Sequence, residues 1–214
     1  MQTEYYGQYL QDIQAKLNNP WSLHGIHHRH LNDFIQLTVK KLPVGAKVLD
    51  GGCGFSIWLT PEIESRIEYF GVDCEQEAIA FCKNHFRDRI YQLADLSTLP
   101  FPSQYFDAVV MREVIEHIRV PGESLSEVKR VLKPGGYFIM TTPNYGSFLL
   151  WLVENIYNRF FSSFKPYLED IHPSKFTNPT LIQALESHLQ LSSLGTVDLG
   201  INLAAVCINP LSGT

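Results

Sequence analysis

Two groups of residues in this chain have the types and spacing to do chemistry. The first is Asp50-Gly51-Gly52-Cys53-Gly54, an acid and glycines directly after the short apolar run Ala46 to Leu49. Glycines at 51, 52 and 54 let the backbone take positive φ and keep side chains clear, so a ligand can lie against main-chain N–H groups where a strand hands over to a helix. The second group is Glu113, Glu116 and His117, with His172 downstream. If the turn that holds the first three is helical, they fall at i, i+3 and i+4 and share one face. His117 or His172 could take a proton from an acceptor hydroxyl, with Glu113 or Glu116 orienting the ring. The histidines could instead be structural hydrogen-bonding groups.

The elements that position these groups read as alternating strands and helices. After the first run, Tyr69 to Val72 ends in Asp73, Gln92 to Ala94 leads to Asp95, and Phe106 to Met111 leads into Arg112 and Glu113. Acids at successive strand ends lie at the edge where doubly wound sheets bind ligands, and Asp73 falls about where such folds put a ribose-binding carboxylate. The spacing predicts helices over Ser56 to Arg66, irregular or restarted at Pro61, and over Glu75 to Phe86 and Pro121 to Leu132. In the last of these Leu125, Val128, Val131 and Leu132 form the apolar side, while Glu123, Glu127, Lys129 and Arg130 are solvated. Lys133 to Gly136 then makes a turn before a fifth strand, Tyr137 to Thr142. Asn178-Pro179-Thr180 starts a further helix, and Leu191 to Leu199 and Ile201 to Ile208 make two closing strands joined at Gly200.

Taken in order from Val48 to Asn144, these motifs resemble the class I S-adenosylmethionine-dependent methyltransferases. Leu99-Pro100-Phe101, Leu132 to Gly136 and Thr142-Pro143-Asn144 are similar to further elements of that family. The look is nearest to the type 11 and ubiquinone-biosynthesis O-methyltransferase-like group, which Leu23 to Leu31 also resembles. The resemblance implies an α/β fold: a Rossmann-like, doubly wound seven-stranded sheet, mostly parallel with an antiparallel last strand, and helices on both faces. It implies S-adenosyl-L-methionine as cofactor, with Asp50, Gly51, Gly52, Cys53 and Gly54 at the methionine part, Asp73 at both ribose hydroxyls and Asp95 at the adenine amino group. Cys74, Leu96 and Met111 complete the expected cofactor-binding set. Ser56 stands where the family often has a third glycine, and as a serine at a helix start it is expected to leave binding intact. A nicotinamide enzyme fits less well, because Ile57 occupies the place of the last glycine or alanine of GxGxxG.

The expected activity is transfer of a methyl group to a small, apolar or aromatic acceptor, with O-methylation favoured and His117, His172 and Glu113 as catalytic candidates. In small-RNA 2'-O-methyltransferases the same Glu and His arrangement supplies metal ligands, so a metal-dependent RNA enzyme is the alternative, together with a module that holds the cofactor without catalysis. The charge of −5 on 214 residues disfavours nucleic acid as the partner, since such proteins usually carry a basic face, and no metal is assigned. His24, His27, His28 and His30 point to different helix faces with no interleaved carboxylate, which disfavours metal there too. Four cysteines without a CxxC pair suggest reduced thiols and a cytoplasmic protein, and no signal peptide or membrane-spanning run is read. At 45% hydrophobic residues the chain suits one domain, expected to comprise a helical N-terminal cap (1–43), a cofactor-binding core (44–144), a helical lid (145–170) and a closing helix and strands (171–214). The aromatic stripe from Phe148 to Phe164 is core or a roof over the substrate pocket, and could touch a membrane surface peripherally.

Overall fold

The computed structural model describes residues 12, 15–16, 18–19, 21–153, 155 and 172–211. After helix α1 (Leu23–Val39) come β1 (Ala46–Gly51), α2 (Pro61–Glu64), β2 (Ile67–Asp73), α3 (Gln76–His85), β3 (Ile90–Leu93) and β4 (Phe106–Arg112). A 3-10 turn (Ile115–His117) precedes α4 (Pro121–Val131), β5 (Leu132–Pro143), α5 (Phe148–Leu152), α6 (Asn178–Glu186), β6 (Gln190–Val197), a second 3-10 turn (Asp198–Gly200) and β7 (Asn202–Ile208). The seven strands form one sheet in the order β3-β2-β1-β4-β5-β7-β6. The first five pair in parallel, and β7 runs antiparallel to both β5 and β6, so the expected fold class is borne out.

Alternation within the strands builds two cores, one on each face. Leu49, Val109, Met111, Phe138 and Met140 face the side covered by α4 and α6, where Leu125, Val128, Leu181 and Leu185 meet them. Val48, Ala108, Val110 and Ile139 face the other side, against Ile35 and Val39 of α1 and Ile79 and Cys82 of α3. Strands sandwiched between helix layers must be apolar on both faces, which is why their sequences read as runs. The order reverses between β1 and β4, and Asp50 pairs with Val110, so the glycine loop lies beside the exit of β4. That reversal is where an open α/β sheet leaves a crevice for a ligand.

Three expectations need correction. The segment Ser56 to Arg66 is helical only over Pro61–Glu64, with Thr60 as N-cap. Ser56 sits at φ 53, outside the helical region, and the carbonyls of Ile57 and Trp58 accept from Asn32 Nδ2 and Gln36 Nε2 of α1 instead of from a helical turn. Lys133 to Gly136 form a bulge inside the span of β5, four residues opposite the single Asp107: Phe106 pairs with Leu132, but Ala108 pairs with Tyr137. Glu127 and Arg130 are not merely solvated, since Glu127 accepts from Leu99 N and Arg130 donates to the carbonyls of Leu99 and Phe101. Together they fix the connector into β4. Of the expected lid, α5 is described, while residues 154 and 156–171 lie outside the described residues.

Gly52 holds the tightest bend of the first loop, at φ 72, and an added Cβ would stand 2.7 Å from Val114 Cγ1. Gly52→Ala should therefore cost at least about 1 to 3 kcal/mol in a denaturant unfolding experiment, the backbone strain being joined by the contact with Val114. An unchanged midpoint would mean that the loop adopts another conformation.

Candidate functional site

The first loop is anchored by a buried acid. Asp50, 1% exposed, ends β1 with Oδ2 accepting from Trp58 Nε1 at 2.8 Å and from Tyr69 Oη at 2.7 Å. Burial raises its pKa to about 6, against the lowering effect of those two bonds. Ser56 Oγ bonds Tyr69 Oη and reaches Tyr91 Oη at 3.3 Å, so a positive-φ serine is held by a network of buried hydroxyls and does not cap a helix. Gly52 N and Cys53 N both donate to Val72 O, folding the loop back over β2. Gly54 N donates to Asp73 Oδ2 at 2.9 Å, and nothing lies within 4 Å of where a Cβ of Gly54 would be. The loop therefore shows open space on one side and a carboxylate on the other.

The remaining expected cofactor residues line the neighbouring strand ends. Asp73 Oδ1 accepts from Glu75 N, while Asp95, beyond β3, accepts from Ser97 N and Oγ at 2.7 Å; these bonds lower its pKa. A Cβ on Gly51 would meet Leu96 Cδ2 at 3.0 Å and Met111 Cγ at 3.6 Å, so both side chains close against that glycine. Met111 is fully buried and half-buried Leu96 is the more accessible of the two. Cys53 is buried, and its thiol is pushed up by burial and by Asp50; Cys74 is exposed beside Asp73 and its thiol is raised chiefly by desolvation. All four cysteines are free thiols.

The second group is arranged differently from the expected helical face. Glu113 leaves β4 at φ 55 and precedes the single 3-10 turn Ile115–His117, so the three do not lie along one α-helical face, while Glu113 stays near enough to Glu116 to act on its charge. Glu113 Oε2 accepts from Asn202 Nδ2 at 2.8 Å. Glu116, 1% exposed, accepts from Thr142 Oγ1 at 2.9 Å, and burial followed by the neighbouring Glu113 pushes its pKa well above the usual carboxylate range. His172 stands edge-on to His117 with ring centroids 4.7 Å apart. One ligand atom from each of Glu116, His117 and His172 lies within 4.8 Å of the others, which makes the trio a candidate metal group. Tyr145 Oη bonds His172 Nδ1 at 2.5 Å, and burial with nearby His117 and Lys175 lowers the pKa of His172 to about 4. At neutral pH that ring is uncharged, and at about 4 it is a weak base.

Helix α1 brings its histidines to the same edge. His27 Nδ1 and His30 Nδ1 contact the two oxygens of Asp198 at 2.6 Å and 3.0 Å, while His28 bonds His24 and Arg112. The carboxylate absent from the local sequence is thus supplied by a turn 171 and 168 residues away. Asn202, Tyr145 and Asp198 carry no motif, and the pairing of β5 with β7 and the docking of α1 bring Asn202 and Asp198 here.

Comparison with known proteins follows this geometry. Residues 49–140 match the family profile described as a methyltransferase domain. The ubiquinone biosynthesis O-methyltransferase of Coxiella burnetii (strain Dugway 5J108-111) is 29% identical over 150 residues, 66% of this chain and 62% of that protein, so the match spans somewhat less than two thirds of the relative's length. A structure of an S-adenosylmethionine-dependent methyltransferase from Methanosarcina mazei superposes with a TM-score of 0.67 at 18% identity, covering 82% of this chain and 98% of that one. A structure described as the [4+2]-cyclase SpnF superposes with a TM-score of 0.66 at 15% identity, covering 91% and 84%. The resemblance read from the residues is borne out, while the shared fold also carries an enzyme described by another chemistry.

The folded pKa of Asp50 lies above its unfolded value, so protonation favours the folded state. Its contribution is present below the unfolded value and is lost as pH rises through about 6. The stability of wild type relative to Asp50→Asn should therefore fall by about 3 kcal/mol between roughly pH 3 and roughly pH 8 in paired denaturant titrations. A flat difference would show that the carboxylate is solvated.

Proposed function

Starting from a chain whose residues 49–140 form a class I S-adenosylmethionine-dependent methyltransferase domain, we propose that it transfers a methyl group to the oxygen of a small apolar or aromatic acceptor. The observation that carries this reading is the juxtaposition of the glycine loop and the acids of β1, β2 and β3 with the paired rings of His117 and His172 at the same sheet edge. Asp73 suits a ribose diol, Asp95 an adenine amino group, and the space beside Gly54 a methionine chain against Asp50, Gly51, Gly52 and Cys53, with Cys74, Leu96 and Met111 closing the slot. S-adenosylmethionine supplies an activated methyl group when bound. The chain's own task is then to align the acceptor, exclude water and remove one proton; orientation alone is worth about 7 to 11 kcal/mol in favourable cases.

His172, uncharged and held by Tyr145, lies beside His117, and these two rings are the candidates for receiving the acceptor's proton. Glu113 bonds to Asn202, so orienting a histidine is not its part in this reading. The acceptor's apolar character is supported by α5, where Phe148 and Trp151 stack at 5.7 Å while 74% and 52% exposed. Such a rim suits an apolar acceptor or the membrane surface in which one dissolves. The relative's printed activity, ubiquinone biosynthesis O-methylation, supports oxygen as the target. Among the described residues no helix is long and apolar enough to cross a membrane, and four free thiols suit a reducing cytoplasm.

One observation favours a second reading. Glu116, His117 and His172 are close enough to share a divalent cation, as a metal-dependent 2'-O-methyltransferase of RNA ends would need. The net charge of −5 weighs against an RNA partner.

Three outcomes test these readings. Calorimetry should detect S-adenosylhomocysteine and no NAD; tight NAD binding with no heat from S-adenosylhomocysteine would sink the first. Asp73→Ala should weaken S-adenosylhomocysteine by roughly 1.5 to 3 kcal/mol per ribose bond lost while the protein stays folded. In a methyl-transfer assay against a metabolite panel, turnover should survive chelation; turnover abolished with cofactor binding intact moves the assignment to the metal-dependent reading, and no turnover on any acceptor moves it to a non-catalytic module.

A further inference from the structure

Among the described residues, the buried side-chain atoms without a hydrogen-bond partner are Glu113 Oε1, Thr141 Oγ1 and Asn202 Oδ1. All three belong to one place. Asn202 Nδ2 donates to Glu113 Oε2 at 2.8 Å, and Glu113 N donates to Thr141 O at 3.1 Å. In the register of the sheet Thr141 pairs with Arg112 on one side and Ala204 on the other, and Asn202 lies two residues from Ala204. Side chains of paired residues share a face, as do those two apart along a strand, so Thr141, Asn202 and Arg112 point to the same side of the sheet. Arg112 bonds Asn32, which identifies that side as the one under α1.

The orientation of the Asn202 amide follows from chemistry. A carboxylate oxygen accepts, so the amide nitrogen faces Glu113 and the amide oxygen is left without a partner. Glu113 itself is held at φ 55, a left-handed conformation that a glutamate adopts only when its surroundings impose it. Buried polar groups in folded proteins are almost always satisfied, so three orphaned acceptors around one strained acid, next to the reversal point of the sheet, mark a place completed by something else. The local field is negative as well: Glu113 is the second cause, after burial, of the raised proton affinity of Glu116. The guanidinium of Arg112 bonds Asn32 and His28, and none of the three orphaned oxygens has a hydrogen-bond partner.

We propose that Glu113 Oε1, Asn202 Oδ1 and Thr141 Oγ1 form a subsite for a primary ammonium group, whose three N–H bonds match the three acceptors and whose charge matches the carboxylate. The subsite rests on the methyl-transfer reading for the molecule that brings the ammonium, either an amine on the acceptor or the amino-acid end of the cofactor. Its cover is α1 together with the turn Asp198–Gly200, which α1 holds through His27 and His30.

Calorimetry on the full chain would compare S-adenosylhomocysteine with its analogue lacking the α-ammonium, for wild type, Glu113→Gln and Thr141→Val, alongside a titration with benzylammonium chloride read from the side-chain amide resonance of Asn202. A preference of about tenfold or more for the ammonium-bearing compound, reduced in both variants, assigns the subsite to the cofactor. No such preference, with benzylammonium moving the Asn202 resonance in wild type but not in the variants, assigns it to an acceptor amine. Thr141→Val should also melt above wild type, because it removes an unpartnered hydroxyl and is free of the risk that Glu113→Gln fails to fold. A lower melting temperature would mean that water satisfies the hydroxyl, and that result, or no response in either arm, overturns the proposal. Absence of any S-adenosylhomocysteine binding would instead overturn the cofactor assignment, and the benzylammonium arm would still decide the subsite.

Discussion

The rest of this structure depends on one carboxylate kept out of water. Asp50 sits at the end of β1 in the middle of the sheet, and the indole of Trp58 and the phenol of Tyr69 both donate to its Oδ2. Those bonds join the loop after the glycines to β2, and the hydroxyls of Ser56 and Tyr91 extend the network to β3. A buried acid with two good donors is tolerable; with one removed it would be left short of partners at a cost of about 1 to 3 kcal/mol. The loop's shape is consequently tied to the packing of aromatic side chains from three segments.

Helix α1 adds a second constraint from the opposite direction. Asn32 and Gln36 reach down to the carbonyls of Ile57 and Trp58, and Arg112 at the end of β4 reaches up to Asn32. One helix therefore touches the exits of both strands that flank the reversal point of the sheet. A change in α1 is felt by the loop through hydrogen bonds to main chain, where a side-chain substitution cannot easily compensate.

The parts of the fold legible in the sequence were those set by local rules. Strands β1 and β2 are apolar runs that close on Asp50 and Asp73, and β3 leads to Asp95, so the positions of these acids followed from the pattern and its family resemblance. The helical reading of Ser56 to Arg66 failed because the pattern showed neither the left-handed Ser56 nor the claim that α1 makes on the following carbonyls. A shared face for Glu113, Glu116 and His117 failed for a related reason: an α-helical spacing argument does not hold across a positive-φ residue and a single 3-10 turn. Asn202 and Asp198 were invisible, since nothing local distinguishes an asparagine or aspartate that pairs with a residue 89 or 171 positions earlier.

The strand order also constrains how the chain emerges during synthesis. β7 is the last of the described strands, yet it lies between β5 and β6, and it supplies the only partner on the outer side of β5. A nascent chain that has completed the parallel half must hold the twelve residues of β5 with one edge bare until β7 leaves the ribosome. Exposed edges of apolar strands pair readily with other chains. The bulge at Lys133 to Gly136 interrupts that edge at one end with a charge and two glycines, which shortens the stretch a neighbouring chain could align with before the correct partner arrives.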